Sequence, residues 1–306
     1  MTRKIILVQV LILVACGGDP AVSRFPVRNP SEVVPAQMPT SGPWFHTIRT
    51  ASSADGLTWT EDRSTDLVLH ASVPAAAQLT DGTLVVYFVD FSSGGSERLG
   101  CVESKDAGAT YTWGACSLSG LTSNKAVDFA PTVQADGSVK MYFYASDQNV
   151  NSTGLHAVDM ATSGDGKNFT RTTTTFSYNG LVDPDVFQNS QEWIMHVFSL
   201  TDGATVRATS PDGLSFAYKD HLQPANIGVT KPVKLDNGTY RMYGFPQGPG
   251  QQVRFVSLVS PDGYTWTQEP GDRLVAPAGY EITDPYVVRL NSGKWCMVYK
   301  RSPSGK

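Results

Sequence analysis

The chain has 306 residues, of which 41% are hydrophobic and 17% charged, and its formal net charge is −4 at pH 7. This length and composition suffice for a sizeable core, and a ring of repeats of this length can form a single domain. The sequence has no basic stripe, which argues against nucleic acid as the main partner.

The N-terminus has the pattern of a targeting segment. A basic pair precedes the apolar run Ile5–Val14, which is too short to span a membrane and fits the core of a signal peptide. The residues at 13–16 read Leu-Val-Ala-Cys and resemble a bacterial lipobox. Residues 1–15 are therefore predicted to be a lipoprotein signal peptide and Cys16 the lipidated residue. An ordinary secretory signal followed by an unrelated cysteine is the alternative.

Residues 16–43 contain six prolines and no apolar periodicity, which is typical of an extended tether. A lipidated cysteine of this kind carries two acyl chains, the usual requirement for lasting membrane anchorage. The expected location is the bacterial cell envelope, on the periplasmic or surface side of the outer membrane, with secretion as the alternative. Contact with the membrane is expected only through the lipid anchor.

From residue 44 onward, one short phrase with a Ser, an Asp, a Gly and a trailing aromatic residue occurs five times. Its aspartates are Asp55, Asp106, Asp165, Asp212 and Asp262. Asp and Ser oxygens accept backbone N–H bonds inside tight turns, and Gly supplies a positive φ. The phrase therefore predicts a hairpin between two strands, resembling an Asp box. Its period of about fifty residues is the length of a propeller blade.

A second repeat alternates with the first and consists of a proline that opens an apolar strand. The prolines are Pro74, Pro131, Pro184, Pro232 and Pro285. Proline lacks an N–H group and suits the first position of a strand. Each is followed by a turn, in most copies with strong hairpin chemistry, and by a second apolar strand rich in β-branched and aromatic residues.

The order of the two repeats predicts how the chain closes. Four blades are contiguous, at about 74–118, 131–172, 184–218 and 232–267, whereas the fifth combines 285–300 with 44–60. Sharing one blade between both chain ends leaves no terminal sheet edge open. We therefore predict an all-β fold over residues 44–306. It is a five-bladed β-propeller of four-stranded antiparallel blades, closed by N- and C-terminal strands.

The cysteines point to one disulfide and to no metal site. Cys101 and Cys116 flank one Asp hairpin, so an exported protein is expected to join them. Cys296 lies within an apolar strand and is expected to be a buried free thiol. No Cys/His cluster has the spacing of metal ligands, and no cofactor is predicted. A structural cation held by oxygen atoms in the central channel stays open.

The predicted site lies on the propeller face with the longer, more varied loops, where the residues before each inner-strand proline ring a central pocket. These residues are Val73, Ala130, Asp183, Lys231 and Asp284. Acids gathered at a pocket mouth suit general acid/base work on a glycosidic bond, and crowded like charges raise some pKa values. The catalytic candidates are Asp183, Asp284 and Asp128, and the candidates for substrate binding are Asp185, Lys231, His70, Glu281, Tyr286 and Phe129.

Structural roles for the same residues stay open. An Asp before a Pro commonly bonds the backbone of its own turn. Lys231 could hold a ligand or neutralise the neighbouring aspartates, and the aromatic residues could stack on sugar rings or serve packing.

The motifs Val182-Asp183-Pro184-Asp185 and Thr283-Asp284-Pro285-Tyr286 resemble the Asp-Pro inner strands of five-bladed propeller glycosidases, namely the arabinanase/xylosidase group and the related fructan hydrolases. The resemblance implies that one Asp is the base or nucleophile, that a second Asp tunes its pKa, and that a Glu is the acid. No Glu stands at an equivalent inner-strand start here. Glu281 is the nearest one, and its offset differs.

Two functions are consistent with the sequence. The first is an extracytoplasmic, lipid-anchored glycoside hydrolase that acts on a polysaccharide or oligosaccharide at the central pocket. The second is a non-catalytic propeller that binds glycan or a protein partner at the cell surface. Carbohydrate is the expected partner, nucleic acid is not, and the protein is expected to be a monomer.

Overall fold

The computed structural model describes residues 25–93, 97–123, 125–145, 153–248 and 250–306. The predicted signal peptide and Cys16 lie outside these residues. The described part of the chain contains a short 3-10 helix, Pro43–Phe45, and none of its helices is long and apolar enough to cross a membrane.

The described residues form 24 strands. In chain order they are β1 (Thr47–Ser53), β2 (Thr60–Glu61), β3 (Val68–Leu69), β4 (Ala71–Gln78), β5 (Leu84–Asp90), β6 (Arg98–Ser104), β7 (Thr112–Trp113), β8 (Ser117–Ser119), β9 (Val127–Val133), β10 (Val139–Tyr144), β11 (Leu155–Ser163), β12 (Asn168–Asn179), β13 (Leu181–Gln188), β14 (Trp193–Ser199), β15 (Ala204–Ser210), β16 (Ala217–His221), β17 (Ile227–Val229), β18 (Val233–Lys234), β19 (Tyr240–Pro246), β20 (Arg254–Ser260), β21 (Thr267–Gln268), β22 (Leu274–Val275), β23 (Tyr280–Arg289) and β24 (Trp295–Pro303).

These strands form five sheets, which are the blades of a propeller. Blade 1 contains β4–β7, blade 2 contains β9–β12, blade 3 contains β13–β16, blade 4 contains β17–β22, and blade 5 contains β23, β24 and β1–β3. Strand β8 adds to the outer edge of blade 2, parallel to β12. Within each blade the main strands are antiparallel, and the first strand of the blade faces the centre of the ring. The predicted five-bladed propeller is therefore confirmed.

The ring closes through blade 5, as the order of the sequence repeats predicts. Strand β1 pairs with β24 along its whole length, from Thr47 opposite Arg301 to Ser53 opposite Trp295. Trp59 and Trp295 belong to the same buried cluster. Closure by strands from both chain ends is thus confirmed. It gives the last blade backbone hydrogen bonds that packing alone would not supply.

The Asp phrases form the predicted hairpins. In the first copy the backbone N–H groups of Leu57 and Thr58 both donate to Asp55 Oδ1 at 2.8 Å, and Gly56 N–H donates to Ser53 Oγ at 2.9 Å. The hydrogen bonds fix the turn, because they hold its otherwise unpaired N–H groups. They also lower the pKa of Asp55 to about 2.

Tyrosines on the second strands tie neighbouring blades together at these hairpins. The hydroxyl of Tyr87 in blade 1 donates to the Gly166 carbonyl of the blade 2 hairpin at 2.6 Å. Tyr142 in blade 2 donates to Gly213 O at 2.8 Å, and Tyr243 in blade 4 donates to Gly56 O at 2.6 Å. All three tyrosine side chains are fully buried. Each hydroxyl is therefore satisfied by the next blade, which aligns the hairpins around the ring.

The packed unit begins before residue 44. Val27 is buried among core residues, and its N–H group donates to Leu67 O at 2.7 Å. Asn29 Nδ2 donates to Asp90 Oδ2 at 2.8 Å, and Val33 forms a β-bridge with Ser93. Residues 25–33 therefore lie against the propeller, whereas the sequence predicts an extended tether for this segment.

The structure joins Cys101 and Cys116 by a disulfide, with their Cα atoms 5.9 Å apart. Cys116 follows the short edge strand of blade 1, so the bond secures that edge to the strand beside it. Cys296 is a buried free thiol on β24.

Candidate functional site

Backbone bulges in four of the five inner strands shape the mouth of the central pocket. In each, two residues drop out of the pairing with the second strand, and the first of them has a positive φ. These residues are Val73 (φ 45°), Asp128 (60°), Asp183 (52°) and Asp284 (53°). A bulge re-aims the side chains beside it. Three aspartates are thereby placed at equivalent positions in blades 2, 3 and 5.

In blade 2 the bulge does not lie where the proline pattern predicts it. Ala130 pairs regularly with Tyr142, and Pro131 pairs with Met141. The bulge consists of Asp128 and Phe129, so Asp128 and not Ala130 is equivalent to Asp183. The physical reason is the left-handed backbone, which Asp adopts more readily than Ala. The prediction that Ala130 is the pocket residue of this blade is therefore wrong, and Asp128 takes that place.

Blade 4 departs from this pattern. Its inner strand is interrupted between β17 and β18, where Lys231 lies, and no residue of this interruption has a positive φ. Lys231 therefore does not stand at a bulge position. Its side chain runs towards the centre of the ring instead.

The three bulge aspartates line one pocket. The backbone N–H of Asp183 donates to Asp128 Oδ2 at 3.2 Å. Asp284 Oδ2 lies 2.8 Å from Lys300 Nζ and accepts from Thr283 Oγ1 at 2.9 Å. The aspartates thus have unequal partners, since an ammonium group holds Asp284 while Asp128 is held by one backbone amide.

The electrostatic environment favours a protonated carboxyl in this group. Burial raises the pKa of Asp128 to about 6, and the negative charge of Asp284 adds to that rise. Burial raises the pKa of Asp183 well above its ordinary value, and the charges of Asp128 and Asp284 raise it further. Burial disfavours the charged form of Lys300. The charge of Asp284 and its hydrogen bond to the ammonium favour that form, and the pKa of Lys300 rises overall. The pocket therefore combines two carboxyls of raised pKa with a third carboxyl that pairs with a cation.

Such a set can carry out acid/base chemistry. A carboxyl that stays protonated near neutral pH can donate a proton to a leaving group, and a nearby carboxylate can activate water or attack directly. Unequal pKa values among neighbouring carboxyls are the arrangement that glycosidic bond cleavage needs.

Beneath the acids, two side chains meet across the axis of the ring. Lys231 Nζ from blade 4 donates to Pro131 O at 2.7 Å and to Thr132 Oγ1 at 3.3 Å, both in blade 2. The hydroxyl of Tyr286 from blade 5 donates to the same Pro131 carbonyl at 3.3 Å. Burial lowers the pKa of Lys231 to about 8, and the nearby carboxylate of Asp185 opposes that shift.

The remaining predicted site residues divide between the pocket and its surroundings. Asp185, Tyr286 and Phe129 line the pocket. His70 is not among the lining residues. Its ring stacks on Trp44 with centroids 3.6 Å apart, and its Nδ1 lies 2.7 Å from Trp44 O.

Glu281 is likewise not among the residues that line the pocket. It lies on β23 opposite Ser302, three residues before the bulge. The structure therefore does not bring Glu281 together with the three aspartates.

The sequence analysis missed several residues around the acids. Lys300 pairs across strands with Thr283, next to Asp284. His46 lies close to this ion pair and holds Ser72 Oγ at 3.0 Å through Nδ1. Burial and the charge of Lys300 lower the pKa of His46 to about 4. A charged residue directly after the apolar run of β24 is the only sequence signal that could have identified Lys300.

Glu97 was also missed. It lines a recess beside the pocket together with Asp128 and Asp183, and its negative charge contributes to the raised pKa of Asp128. It lies in the loop between the second and third strands of blade 1, so no inner-strand motif marks it.

The described residues contain no group of three or more His, Cys, Asp and Glu side chains arranged to hold a metal ion. At the level of Pro131, the Lys231 ammonium and the Tyr286 hydroxyl both reach the Pro131 carbonyl.

No protein-family model and no curated protein matches this sequence. Among solved structures, the α-L-arabinanase of Penicillium chrysogenum in complex with arabinobiose is similar over 82% of this chain and 76% of its own, with 15% identity and a TM-score of 0.53. The exo-β-1,3-galactanase of Phanerochaete chrysosporium with galactose is similar over 82% of this chain, with 14% identity and a TM-score of 0.55. This chain spans 64% of the galactanase.

A third similar structure is the GH93 α-L-arabinofuranosidase of Fusarium graminearum with arabinobiose. It covers 71% of this chain and 70% of its own, with 17% identity and a TM-score of 0.50. At such identities the likeness concerns the fold. The resemblance to five-bladed propeller glycosidases that the sequence motifs indicate is thus confirmed for the fold, which this chain shares with arabinan- and galactan-degrading enzymes.

Proposed function

We propose that this protein is a glycoside hydrolase that cleaves a polysaccharide or oligosaccharide by carboxylate acid/base catalysis in the central pocket. The observation that carries this proposal is the convergence of Asp128, Asp183 and Asp284, from three different blades, on one pocket in unequal electrostatic environments.

The environments suggest a division of roles. Asp183, whose raised pKa favours the protonated form of its carboxyl, donates the proton to the leaving glycosidic oxygen. Asp284, held as a carboxylate by Lys300, acts on the anomeric carbon, either directly or through a water molecule. Asp128 positions the backbone of Asp183 and, while ionised, favours the protonated form of its carboxyl.

The fold neighbours support a carbohydrate substrate. The arabinanase was solved with arabinobiose and the galactanase with galactose, and both share the propeller fold described above. The proposal extends this class of ligand to the present chain.

We also propose that the protein is anchored in the cell envelope through a lipid on Cys16, on the basis of the lipobox-like sequence at 13–16. Mass spectrometry of the mature N-terminal peptide is the check. An unmodified N-terminus produced by cleavage elsewhere would contradict it.

The catalytic proposal is tested with purified protein on arabinan, xylan, galactan, fructan and aryl-glycoside panels. Asp183→Asn and Asp284→Asn are each expected to lower kcat at least ~100-fold on any substrate that the wild type cleaves, because each removes a group required for proton transfer or attack. The control is Asp136→Asn, which changes an exposed turn residue and is expected to leave the rate unchanged. Full activity in both pocket variants would refute the assignment.

One observation favours a second candidate, a propeller that binds glycan without cleaving it. The described residues that line the central pocket include four aspartates but no glutamate, whereas the resembling family uses a Glu as the acid. Glycan binding on an array without turnover of any substrate would favour this candidate, and measurable hydrolysis would exclude it.

A further inference from the structure

Three aromatic rings form a stack that bridges blades 2 and 3 and runs from the core to the surface. Phe176 and Tyr178 lie on β12 of blade 2, and their rings are parallel to within 10° with centroids 6.1 Å apart. Tyr178 stacks in turn on Tyr218 of β16 in blade 3, within 6° and with centroids 5.5 Å apart. Phe176 is buried, whereas Tyr218 is 47% exposed. The outermost ring of the stack therefore presents aromatic surface to solvent.

Polar groups at the rim hold the stack in place. Asp202, in the loop that joins β14 to β15, lies with its Oδ2 atom 2.8 Å from His221 Nε2. The Tyr178 hydroxyl donates to the same carboxylate. The His221 ring meets Tyr218 edge-on, with centroids 5.8 Å apart. The exposed ring is thus ordered before a ligand arrives, which lowers the entropy cost of binding.

The stack lies on the same face of the propeller as the acid pocket. Tyr178 is the last but one residue of β12, and Asp183 follows it by five positions. The chain between them therefore spans at most roughly 18 Å. Leu200, two residues before Asp202, lines the recess beside the pocket together with Asp183. The surface from the recess to the stack is continuous along this loop.

The chemistry of the stack suits a sugar ring. The C–H faces of a sugar are apolar and pack on an aromatic ring, while the hydroxyls around its edge need donors and acceptors. Tyr218 supplies the first kind of surface, and His221 and Asp202 supply the second. Packing between the blades would require only the inner rings. It does not account for an exposed outer ring with polar groups beside it.

We propose that Tyr178, Tyr218 and His221 form a second glycan-binding site, outside the central pocket, which holds one sugar unit of a polymer while another part of the same chain reaches the acids. This inference rests on the proposed function and specifies its substrate as a polysaccharide. Two attachment points on one polymer strengthen binding beyond either site alone, because the second contact is intramolecular.

The test measures binding by calorimetry in the Asp183→Asn background, to prevent turnover. The probes are linear arabinan, xylan, β-1,3-galactan and levan, each compared with its own disaccharide at equal concentration of sugar units. At least one polymer is expected to bind at least ~10-fold more tightly than its disaccharide. Tyr218→Ala removes the exposed ring and is expected to weaken binding of that polymer at least ~5-fold.

Two variants separate the ring from other causes. Tyr218→Phe keeps the aromatic face and is expected to retain the polymer affinity within ~2-fold of the parent. Leu214→Ala is the matched control, since Leu214 is 44% exposed in the Asp hairpin of the same blade, at the opposite end of its strands. It is expected to bind as the parent does. Thermal unfolding checks that each variant is folded.

Three outcomes would overturn the inference. The first is that no polymer binds more tightly than its disaccharide, and the second is unchanged polymer affinity in folded Tyr218→Ala. The third is a dimer in sedimentation velocity that Tyr218→Ala dissociates, because a second copy of the chain would then cover the ring. All three concern binding or assembly, whereas the proposed catalytic function fails on the rates of Asp183→Asn and Asp284→Asn. Failure of one is therefore distinguishable from failure of the other.

Discussion

The pocket aspartates lie where charge is difficult to maintain. Asp128 and Asp185 are buried, and burial is the main cause of their raised pKa, whereas Asp183 lies more exposed at the pocket mouth. A structural turn residue behaves differently, as Asp55 shows, because hydrogen bonds from the backbone lower its pKa. The environment therefore distinguishes the pocket aspartates from the turn aspartates. The residue type does not reveal this difference, and neither does a following proline.

Replacing Asp128 by Asn is predicted to stabilise the protein at neutral pH. The pKa of Asp128 rises from 3.8 to about 6 on folding, so ionisation of the folded form costs up to about 3 kcal/mol. The penalty is absent below pH 3.8, grows between pH 3.8 and 6, and is complete above pH 6. Asp128→Asn should therefore raise the Tm by a few degrees at pH 7.5 and by little at pH 4.

Thermal unfolding at the two pH values measures this difference. Asp136→Asn is the control, since the pKa of this exposed turn residue is lowered by bonds from Ser138, and its replacement should bring no gain at pH 7.5. A lower Tm for Asp128→Asn at pH 7.5 would show that its bond to the Asp183 amide outweighs the cost of burying the charge.

All three bulge aspartates are recognisable from sequence, Asp183 and Asp284 because they directly precede prolines and Asp128 because it lies three residues before Pro131. Lys300 is not, because its position matters only through a cross-strand neighbour. It lies on the last strand beside Thr283. Recognising it therefore requires the pairing register of the last two strands.

At the scale of elements, the inner-strand bulge is the feature that builds the site. Asp tolerates the left-handed backbone at three of the four bulges, whereas Val73 adopts it in blade 1 with a φ of 45°. A β-branched residue in this conformation is strained by roughly 1–2 kcal/mol. Blade 1 thus keeps the bulge without the carboxylate, which indicates that the bulge is required by the packing of the ring as well as by the pocket.

We predict that Val73→Asn stabilises the protein by about 0.5–1 kcal/mol, because Asn accepts a positive φ and Val73 is only half-buried. Val133→Asn is the matched control. Val133 packs, half-buried, against the same core cluster but has an ordinary φ, so its replacement should destabilise. Urea unfolding curves of both variants measure the change, and equal destabilisation would mean that strain at Val73 is negligible.

The hairpins and inner strands could be predicted from sequence, but the register within them could not always be. In blade 2 the proline pattern points to Ala130, whereas the bulge lies at Asp128 and Phe129. Pro131 tolerates regular pairing there because a strand edge facing the channel demands no N–H donor from it. The choice between the two registers depends on the neighbouring blades, which a local motif does not contain.

For the whole molecule, closure through blade 5 joins the two ends of the chain by strand pairing. The order of the repeats revealed this closure, because the chain begins with an Asp phrase and ends with a proline strand. The ends also meet in space, since Gly42 N–H donates to Lys306 O at 2.7 Å. The segment 25–33, by contrast, packs against the propeller through scattered contacts that have no repeat and could not be anticipated.

A circular permutant tests the value of this closure. It starts at Gly279, joins Lys306 to Gly42 through a short Gly-Ser linker, and ends at Ala278, in an exposed loop. All five blades are then contiguous, and the pairing of β1 with β24 no longer joins the two ends of the chain. The permutant is expected to fold but to unfold several degrees below a control that lacks residues 1–41 in the native order, as measured by calorimetry. Equal or higher stability of the permutant would contradict a stabilising role of closure.

The contact of Lys231 and Tyr286 at the Pro131 carbonyl bears on how a ligand leaves. Because these side chains cross the axis below the acids, a glycan cannot thread from one face of the propeller to the other at this level. Anything released in the pocket must exit through the opening by which it entered. A hydrolysis product would therefore occupy the entry route of the next substrate, and it should appear in initial-rate kinetics as a competitive inhibitor.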